Sequence, residues 1–212
     1  MLARGEKLDK DPRIVLSTIH GSKGGECDNV VLLTDMTENT MKNYENTTKL
    51  ANKYICILIM GLPGSGKSTI AIQLSKLINA YYIDSDRHHS LKNIHKMKAG
   101  IPLNDFDRKN WLTKILSDAQ KINKSHVIIA CSALKKKYRE FLAPLNFKLV
   151  YLKIDKKTAK KRILSRKRHF MPVSLLESQI SILEEPDESL IIDATVDPKE
   201  ILNQIMKNIV NS

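Results

Sequence analysis

With 212 residues, of which 42% are hydrophobic and 27% charged, the chain can bury the core of one α/β domain with an appendage, or of two small domains. It has no apolar run near the ~20 residues that cross a bilayer, no apolar signal-peptide core, and three scattered cysteines without metal-ligand spacing, so we expect a protein of the reducing cytoplasm that binds no membrane. The net charge of +12 arises after residue 50, where 28 Lys and Arg face 15 Asp and Glu, and it favours an anionic ligand, either a nucleic acid or a polyphosphate.

The first fifty residues differ in character from the rest. Their pattern predicts a strand at Ile14–Thr18, a glycine-rich loop and a strand at Asn29–Thr34, followed by a polar stretch. This segment resembles motif V of superfamily-one DNA helicases, although Cys27 replaces the usual aromatic residue and the other helicase motifs are missing. We therefore interpret residues 1–36 as a helicase motif V-like, β-rich appendage without helicase activity of its own, and residues 37–52 as a linker. The matching residues are Thr18, His20, Lys23, Gly24, Glu26 and Val30.

From residue 53 onward, short apolar runs alternate with segments of helical period, which predicts a parallel sheet covered by helices on both faces. The Ile, Val and Leu content of the runs is typical of buried parallel strands. We therefore predict one domain over residues 53–212. The predicted strands are Tyr54–Met60, Ala80–Ile83, His126–Ala130, Lys148–Lys153 and Leu190–Asp193. The predicted helices are Lys67–Ile78, Leu91–Lys98, Arg108–Lys124, Leu134–Leu142, Lys156–Ser165, Val173–Leu183 and Pro198–Asn211.

The segment Gly61–Ser68 follows the first predicted strand and reads GLPGSGKS, which satisfies every fixed position of the phosphate-loop pattern G-x-x-x-x-G-K-[ST]. In such a loop, glycines let backbone N–H groups surround phosphate oxygens, and the following helix adds its positive N-terminal end. The lysine supplies a cation for the β- and γ-phosphates, and the hydroxyl a ligand for Mg²⁺. The motif therefore predicts binding of a nucleoside triphosphate. Its candidate nucleotide-binding residues are Gly61, Gly64, Ser65, Gly66, Lys67, Ser68 and Thr69, with Ser68 also a candidate magnesium ligand.

Three further clusters of polar residues accompany the phosphate loop. Asp84 and Asp86 end the second strand, where ligands gather in open α/β sheets, and they could hold Mg²⁺, accept a proton or cap a turn. Basic residues in Cys131–Arg139 follow the third strand, where they could neutralise an anion or form a solvated helix face. The segment Arg162–Pro172 is rich in basic residues and is predicted to be a loop. This loop could close over a γ-phosphate or remain exposed to solvent. These residue types alone leave the alternatives open.

Together the clusters resemble the gluconokinase family of phosphate-loop small-molecule kinases, which is related to shikimate kinase. The segment Asp84–Leu112 is similar, without a gap, to the family pattern D-[GA]-D-x-x-H-x-x-x-N-x-x-K-M-x-x-G-x-P-L-x-D-x-D-R-x-x-W-L. The family's C-S-A-L-K-x-x-Y-R begins at Cys131, its R-x-x-H-F at Arg166, and its S-Q-x-x-x-L-E-x-P at Ser178. The resemblance covers about residues 54–210, and it implies a three-layer α/β phosphate-loop kinase fold around a five-stranded parallel sheet.

The resemblance implies transfer of the γ-phosphate of ATP, with Mg²⁺, to the 6-hydroxyl of D-gluconate, and it allows a homodimer. On this basis Asp86 is predicted to act as general base or to orient the hydroxyl, and Asp84 to hold Mg²⁺ through water. Arg162 and Arg166 are predicted to close on the phosphates, so Lys67, Asp86 and Arg166 are the predicted catalytic residues. The predicted substrate-binding residues are Asp84, Asp86, His89, Arg108, Lys135 and Arg139.

Two positions depart from the family pattern. Ser85 stands where Gly or Ala is usual and could add a hydroxyl near the substrate, whereas Arg168 stands where Gly is common and could stiffen the loop. The basic surface and the helicase-like segment favour a second class, a polynucleotide 5′-kinase or another nucleic-acid-associated phosphate-loop protein that carries a helicase remnant. The family block from Asn93 to Leu112 has no explanation in that class, so we expect gluconate, and not a nucleic acid, as the partner.

Overall fold

The computed structural model describes residues 55–122, 126–165, 172–187 and 189–211. The predicted appendage and linker therefore lie outside the described residues, as do Arg166 and Arg168, which belong to the predicted basic loop. In the described part, five strands alternate with seven α-helices, as the alternating sequence pattern predicts.

The five strands form one parallel sheet in the order β2-β3-β1-β4-β5. The first strand lies at its centre, where Ile57 pairs with Ile128 on one side and with Lys148 on the other. Three predicted strands have the observed bounds, and the other two begin one residue later than predicted. The strands are β1 (Ile55–Met60), β2 (Tyr81–Asp84), β3 (His126–Ala130), β4 (Lys148–Lys153) and β5 (Leu190–Asp193).

The helices cover both faces of the sheet because alternate side chains of β1 point to opposite sides. Ile57 belongs to a buried cluster with residues of the first and last helices, whereas Leu58 belongs to a second cluster with Trp111 and Leu142. None of the described helices is long and apolar enough to cross a membrane. The helices are α1 (Lys67–Leu77), α2 (Leu91–Lys98), α3 (Asp105–Gln120), α4 (Lys136–Leu142), α5 (Lys156–Leu164), α6 (Leu175–Ile180) and α7 (Pro198–Ile205), with a π-helical turn at Met206–Val210 and 3₁₀ turns at Ser85–His88 and Ala143–Leu145.

The helix α3 begins three residues before its predicted start at Arg108, because Asn104 and Asp107 form a capping box. The Asn104 side chain accepts from the Asp107 N–H at 2.8 Å, and the Asp107 carboxylate accepts from the Asn104 N–H at 3.1 Å. The helix α4 begins two residues later than predicted, because Lys135 is extended with φ −93° and ψ 146°. Both shifts arise from the residues at the helix ends, which helical periodicity does not take into account.

Gly61→Ala is expected to lower the free energy of unfolding by about 3 kcal/mol. Gly61 has φ 148°, and a Cβ atom there would lie 2.6 Å from the Leu152 carbonyl oxygen and 2.8 Å from Ser65 Oγ. Urea titration of both proteins measures the difference. The control is Gly100→Ala, whose nearest obstacle is Ser174 Oγ at 3.3 Å and whose cost should be about 1 kcal/mol. Equal losses for the two variants would contradict the close approach at Gly61.

Candidate active site

A cleft of about 760 Å³ opens at the carboxyl ends of β1, β2 and β3. This edge of an open parallel sheet is where ligands bind in α/β proteins. The phosphate loop forms one wall, the turn after β2 with α2 and α3 forms a second, and the segment after β3 with α6 forms a third. Of the predicted site residues, those that line the cleft are Gly64, Gly66, Lys67, Ser68, Thr69, Asp84, Asp86, His89 and Arg108.

The phosphate loop presents an open helix N-terminus to this cleft. Gly66 ends the loop at φ 92° as the N-cap of α1, and no side chain caps the helix there. A Cβ at Gly66 would meet no atom within 4 Å, so the space beside this backbone is open. Lys67 reaches back across the loop, where its Nζ donates to the Leu62 carbonyl at 3.1 Å. Uncapped N–H groups, the helix dipole and an ammonium group thus converge on a place suited to a polyphosphate.

Three predicted nucleotide-binding residues lie outside the lining of the cleft. Gly61 and Ser65 belong to the loop but are buried, with Ser65 only 1% exposed. Arg162 lies behind the loop, and its guanidinium donates to the carbonyls of Gly64 at 3.3 Å and Ala194 at 2.9 Å. Arg162 therefore fastens the phosphate loop to the end of β5 in this structure, and its predicted contact with phosphates stays a prediction.

Asp84 and Asp86 line the wall opposite the loop. The Asp84 carboxylate caps the turn after β2 by accepting from the Asp86 N–H at 3.1 Å, and it lies 3.8 Å from Arg87 Nε. Asp84 therefore both caps the turn and faces the cleft, two roles that the sequence analysis gave as alternatives. With Ser68, these aspartates offer only oxygen ligands, which suit Mg²⁺. The described ranges hold no group of three or more His, Cys, Asp or Glu that could hold a metal ion.

His89 and Trp111 form a stacked pair in the same wall, with ring centroids 4.7 Å apart and planes 8° apart. The indole is fixed in turn, because its Nε1 donates to the Ser85 carbonyl at 2.6 Å. Burial, together with the charge of Arg108, lowers the pKa of His89 to about 4, so its imidazole is neutral at neutral pH. Its Nδ1 is buried and has no hydrogen-bond partner among the described residues. The wall thus carries a neutral imidazole able to exchange hydrogen bonds with a polyol.

The expectation that Ser85 adds a hydroxyl near the substrate is wrong. Ser85 is 2% exposed, does not line the cleft, and pairs its hydroxyl with the thiol of Cys131. Ser85 is the first residue of the 3₁₀ turn that follows β2, and it is the residue of that turn whose side chain is buried in the core. Burial raises the pKa of Cys131 to about 12, which leaves an unreactive thiol beneath the site.

Two of the three basic residues predicted to bind the acceptor carboxylate lie near one another, but only one lines the cleft. Arg108 lines it and donates to the Leu103 carbonyl. Lys135 does not, and its Nζ binds the Asp105 carboxylate at 3.0 Å. Tyr138, which sequence reasoning did not single out, lines the cleft beside Arg108. Its only sequence signal was its place in the family pattern.

Arg139, the third of these basic residues, is buried and turned away from the cleft. Its guanidinium donates to the carbonyls of Ala133 at 3.0 Å and Leu134 at 3.2 Å, and burial lowers its pKa. Ala133 has φ 42°, so the chain bends sharply between β3 and α4 and leaves these carbonyls without helical partners. Arg139 binds both carbonyls, and the Leu134 carbonyl also accepts from the Glu184 N–H at 2.9 Å, so these bonds together hold the bend in place.

An open phosphate loop that faces two aspartates across a cleft of this size defines a phosphate-loop kinase of small molecules. The family model AAA_33, described as an AAA domain, matches residues 56–186. The chain belongs to the gluconokinase family: it is 40% identical over 148 residues to the thermoresistant gluconokinase of Escherichia coli, covering 66% of this chain and 83% of that protein. It is 35% identical over 175 residues to the gluconokinase of Arabidopsis thaliana, covering 74% and 93%.

Solved structures agree with this assignment. A gluconokinase from Sinorhizobium meliloti superposes with a TM-score of 0.65 at 32% identity, covering 74% of this chain and 92% of that one. A shikimate kinase from Aquifex aeolicus superposes with a TM-score of 0.52 at 19% identity, covering 72% and 95%, and shares the fold. The predicted family and the predicted five-stranded parallel fold of the kinase domain are therefore confirmed.

Proposed function

We propose that this chain is a gluconokinase that transfers the γ-phosphate of ATP to the 6-hydroxyl of D-gluconate, giving 6-phosphogluconate and ADP. The observation that carries the proposal is that one cleft joins the phosphate loop to a wall that holds Asp86, His89 and Arg108. Membership of the gluconokinase family supports the same substrate. The polynucleotide 5′-kinase alternative has no comparable support, because its evidence lies in residues 1–36 and in overall charge.

On the donor side, the N–H groups of the loop and of the start of α1 bind the phosphates. The Lys67 ammonium group stabilises the negative charge on the β- and γ-phosphates. Ser68 and, through water, Asp84 hold Mg²⁺, which when bound neutralises phosphate charge. We keep the prediction that Arg166 closes on the γ-phosphate, although this residue lies outside the described ranges. Arg162 acts from behind the loop, since its guanidinium binds two backbone carbonyls.

On the acceptor side, Asp86 accepts the proton of the attacking hydroxyl or orients it towards the γ-phosphate. Arg108 pairs with the carboxylate of the sugar acid, for which a guanidinium offers a two-pronged donor. His89 exchanges hydrogen bonds with sugar hydroxyls as a neutral imidazole. Lys135 and Arg139 act indirectly, because one is bound to Asp105 and the other to the bend after β3.

We also propose a cytoplasmic location, because the buried residues Cys56 and Cys131 form no disulfide, as is usual in a reducing compartment. The homodimer compatible with the family stays a prediction.

Purified protein with labelled ATP and Mg²⁺ is expected to transfer label to gluconate and not to an oligonucleotide with a free 5′-hydroxyl. Separation of labelled products measures both reactions in parallel. Label on the oligonucleotide alone would overturn the proposal in favour of the polynucleotide kinase, and label on neither acceptor would contradict both.

A further inference from the structure

Asp105, at the first turn of α3, gathers the polar groups behind the acceptor wall although it does not line the cleft itself. Its carboxylate accepts from Lys135 Nζ at 3.0 and 3.3 Å and from Lys137 Nζ at 2.7 Å. It also accepts from the hydroxyl of Tyr138. One carboxylate thus joins the start of α3 to both lysines and to the tyrosine around the start of α4, thirty or more residues away in sequence.

The Tyr138 hydroxyl links Asp105 to Arg108, which lines the cleft. Because its proton is donated to Asp105, its oxygen can accept from Arg108, whose NH1 lies 3.4 Å away. The Arg108 guanidinium also lies 5.6 Å from the centre of the Tyr138 ring. Burial and the bond to Asp105 raise the pKa of Tyr138 to about 12, so the hydroxyl keeps its proton. A chain of contacts therefore runs from Asp105 through Tyr138 to the cation that faces the acceptor.

Asp105 also determines where the positive charges of Lys135 and Lys137 lie relative to the cleft. The hydrogen bonds from Lys137, Tyr138 and Lys135 hold the pKa of its carboxyl well below the usual range, so it is ionised at every working pH. Both lysines are directed to this carboxylate, and neither lines the cleft. Arg108 does line it.

We propose that Asp105 is a positioning residue for the acceptor, which orients Tyr138 and Arg108 towards the acceptor carboxylate and holds Lys135 and Lys137 away from it. The role rests on the proposed function, since it assigns the way in which the same cleft recognises a sugar acid. Asp105 acts through its neighbours and not on the substrate. Its loss should therefore affect recognition of the acceptor and leave the donor site intact.

Asp105→Ala is expected to raise KM for gluconate about tenfold while KM for ATP changes less than about twofold. The second measurement uses gluconamide, which keeps the hydroxyls of gluconate but carries no charge. The ratio of kcat/KM for gluconate to that for gluconamide should fall in the variant, because Arg108 is no longer aimed at the carboxylate. A purely structural role would not move this ratio. Asp105→Asn keeps an oxygen acceptor for Tyr138, so it should show a smaller change in the same direction and decides the matter if the alanine variant does not fold.

Glu185→Ala is the matched control. Glu185 is 49% exposed, close to the 45% of Asp105, and also binds a lysine and a tyrosine: Lys153 Nζ at 2.8 Å and the Tyr151 hydroxyl at 3.4 Å. None of these three residues lines the cleft, so the gluconate KM should stay unchanged.

The inference is overturned if the Asp105 variants keep the KM for gluconate within twofold of the wild type, or if they raise the KM for gluconate and the KM for ATP equally. It is also overturned if Glu185→Ala raises the KM for gluconate as much as the Asp105 variants do. Failure of the wild-type protein to phosphorylate gluconate would overturn the proposed function, and the inference with it. Turnover by the wild type with unaffected Asp105 variants overturns the inference alone.

Discussion

Lys67→Ala is expected to lower kcat by about 10²–10³-fold while the protein stays folded. Lys67 stands at the start of α1 and lines the cleft, where its ammonium group can follow charge that develops on the transferred phosphoryl group. The side chain donates a hydrogen bond to the Leu62 carbonyl at 3.1 Å. Loss of that bond costs only about 1 kcal/mol of folding free energy, so catalysis should suffer far more than stability.

Steady-state assays at saturating ATP and gluconate measure kcat, and thermal melts measure stability. The control is Lys76→Ala, which removes the same charge from an exposed position in the last turn of the same helix. It should leave kcat unchanged. Turnover by Lys67→Ala within about threefold of the wild type would contradict the assignment of this loop as the donor site.

Asp86→Asn is expected to lower kcat by about 10²–10⁴-fold and to change ATP affinity by less than about threefold. The amide keeps the shape of the side chain but cannot accept the proton of the attacking hydroxyl. Asp86 lies on the turn after β2, in the wall across the cleft from the phosphate loop, which suits contact with the acceptor. Assays at saturating substrate give kcat, and titration with nucleotide gives ATP affinity.

The neighbouring variant Asp84→Asn separates the two aspartates. Because Asp84 is proposed to hold Mg²⁺ through water, its loss should raise the Mg²⁺ concentration needed for half-maximal rate, a shift not expected for Asp86→Asn. If Asp86→Asn instead weakens ATP binding and leaves kcat near the wild-type value, Asp86 is not the base and belongs to the nucleotide site.

The sequence predicted the sheet well because the inner strands β1 and β3 are rich in Ile, Leu and Val and are buried along their whole length, which is typical of parallel strands covered on both faces. It predicted the phosphate loop because each fixed residue has a separate chemical reason. The predicted start of α3 at Arg108 was wrong by three residues, although Asn104 and Asp107 have the spacing of a capping box. Helical periodicity was the weaker guide, because it ignores the side chains that end a helix.

The directions of the basic side chains could not be predicted in the same way. Arg139 and Lys135 belong to a basic stretch that looks uniform in sequence, yet each is directed by a partner that only the fold supplies. For Arg139 the partners are carbonyls freed by the bend at Ala133, and for Lys135 it is Asp105, thirty residues earlier. Residue type indicated an anion site, but tertiary contacts decide which cation faces it.

The position of β1 at the centre of the sheet has a consequence for the order in which the protein matures. Its partners are β3 and β4, both synthesised long after it, and it does not pair with β2, the next strand in the chain. The phosphate loop at its end is further tied by Arg162 to Ala194 near the end of β5. A nascent chain that has emerged only to β2 therefore carries the complete phosphate-loop sequence without the sheet that shapes it. We therefore expect competence to bind ATP to be acquired late, once most of the domain has left the ribosome.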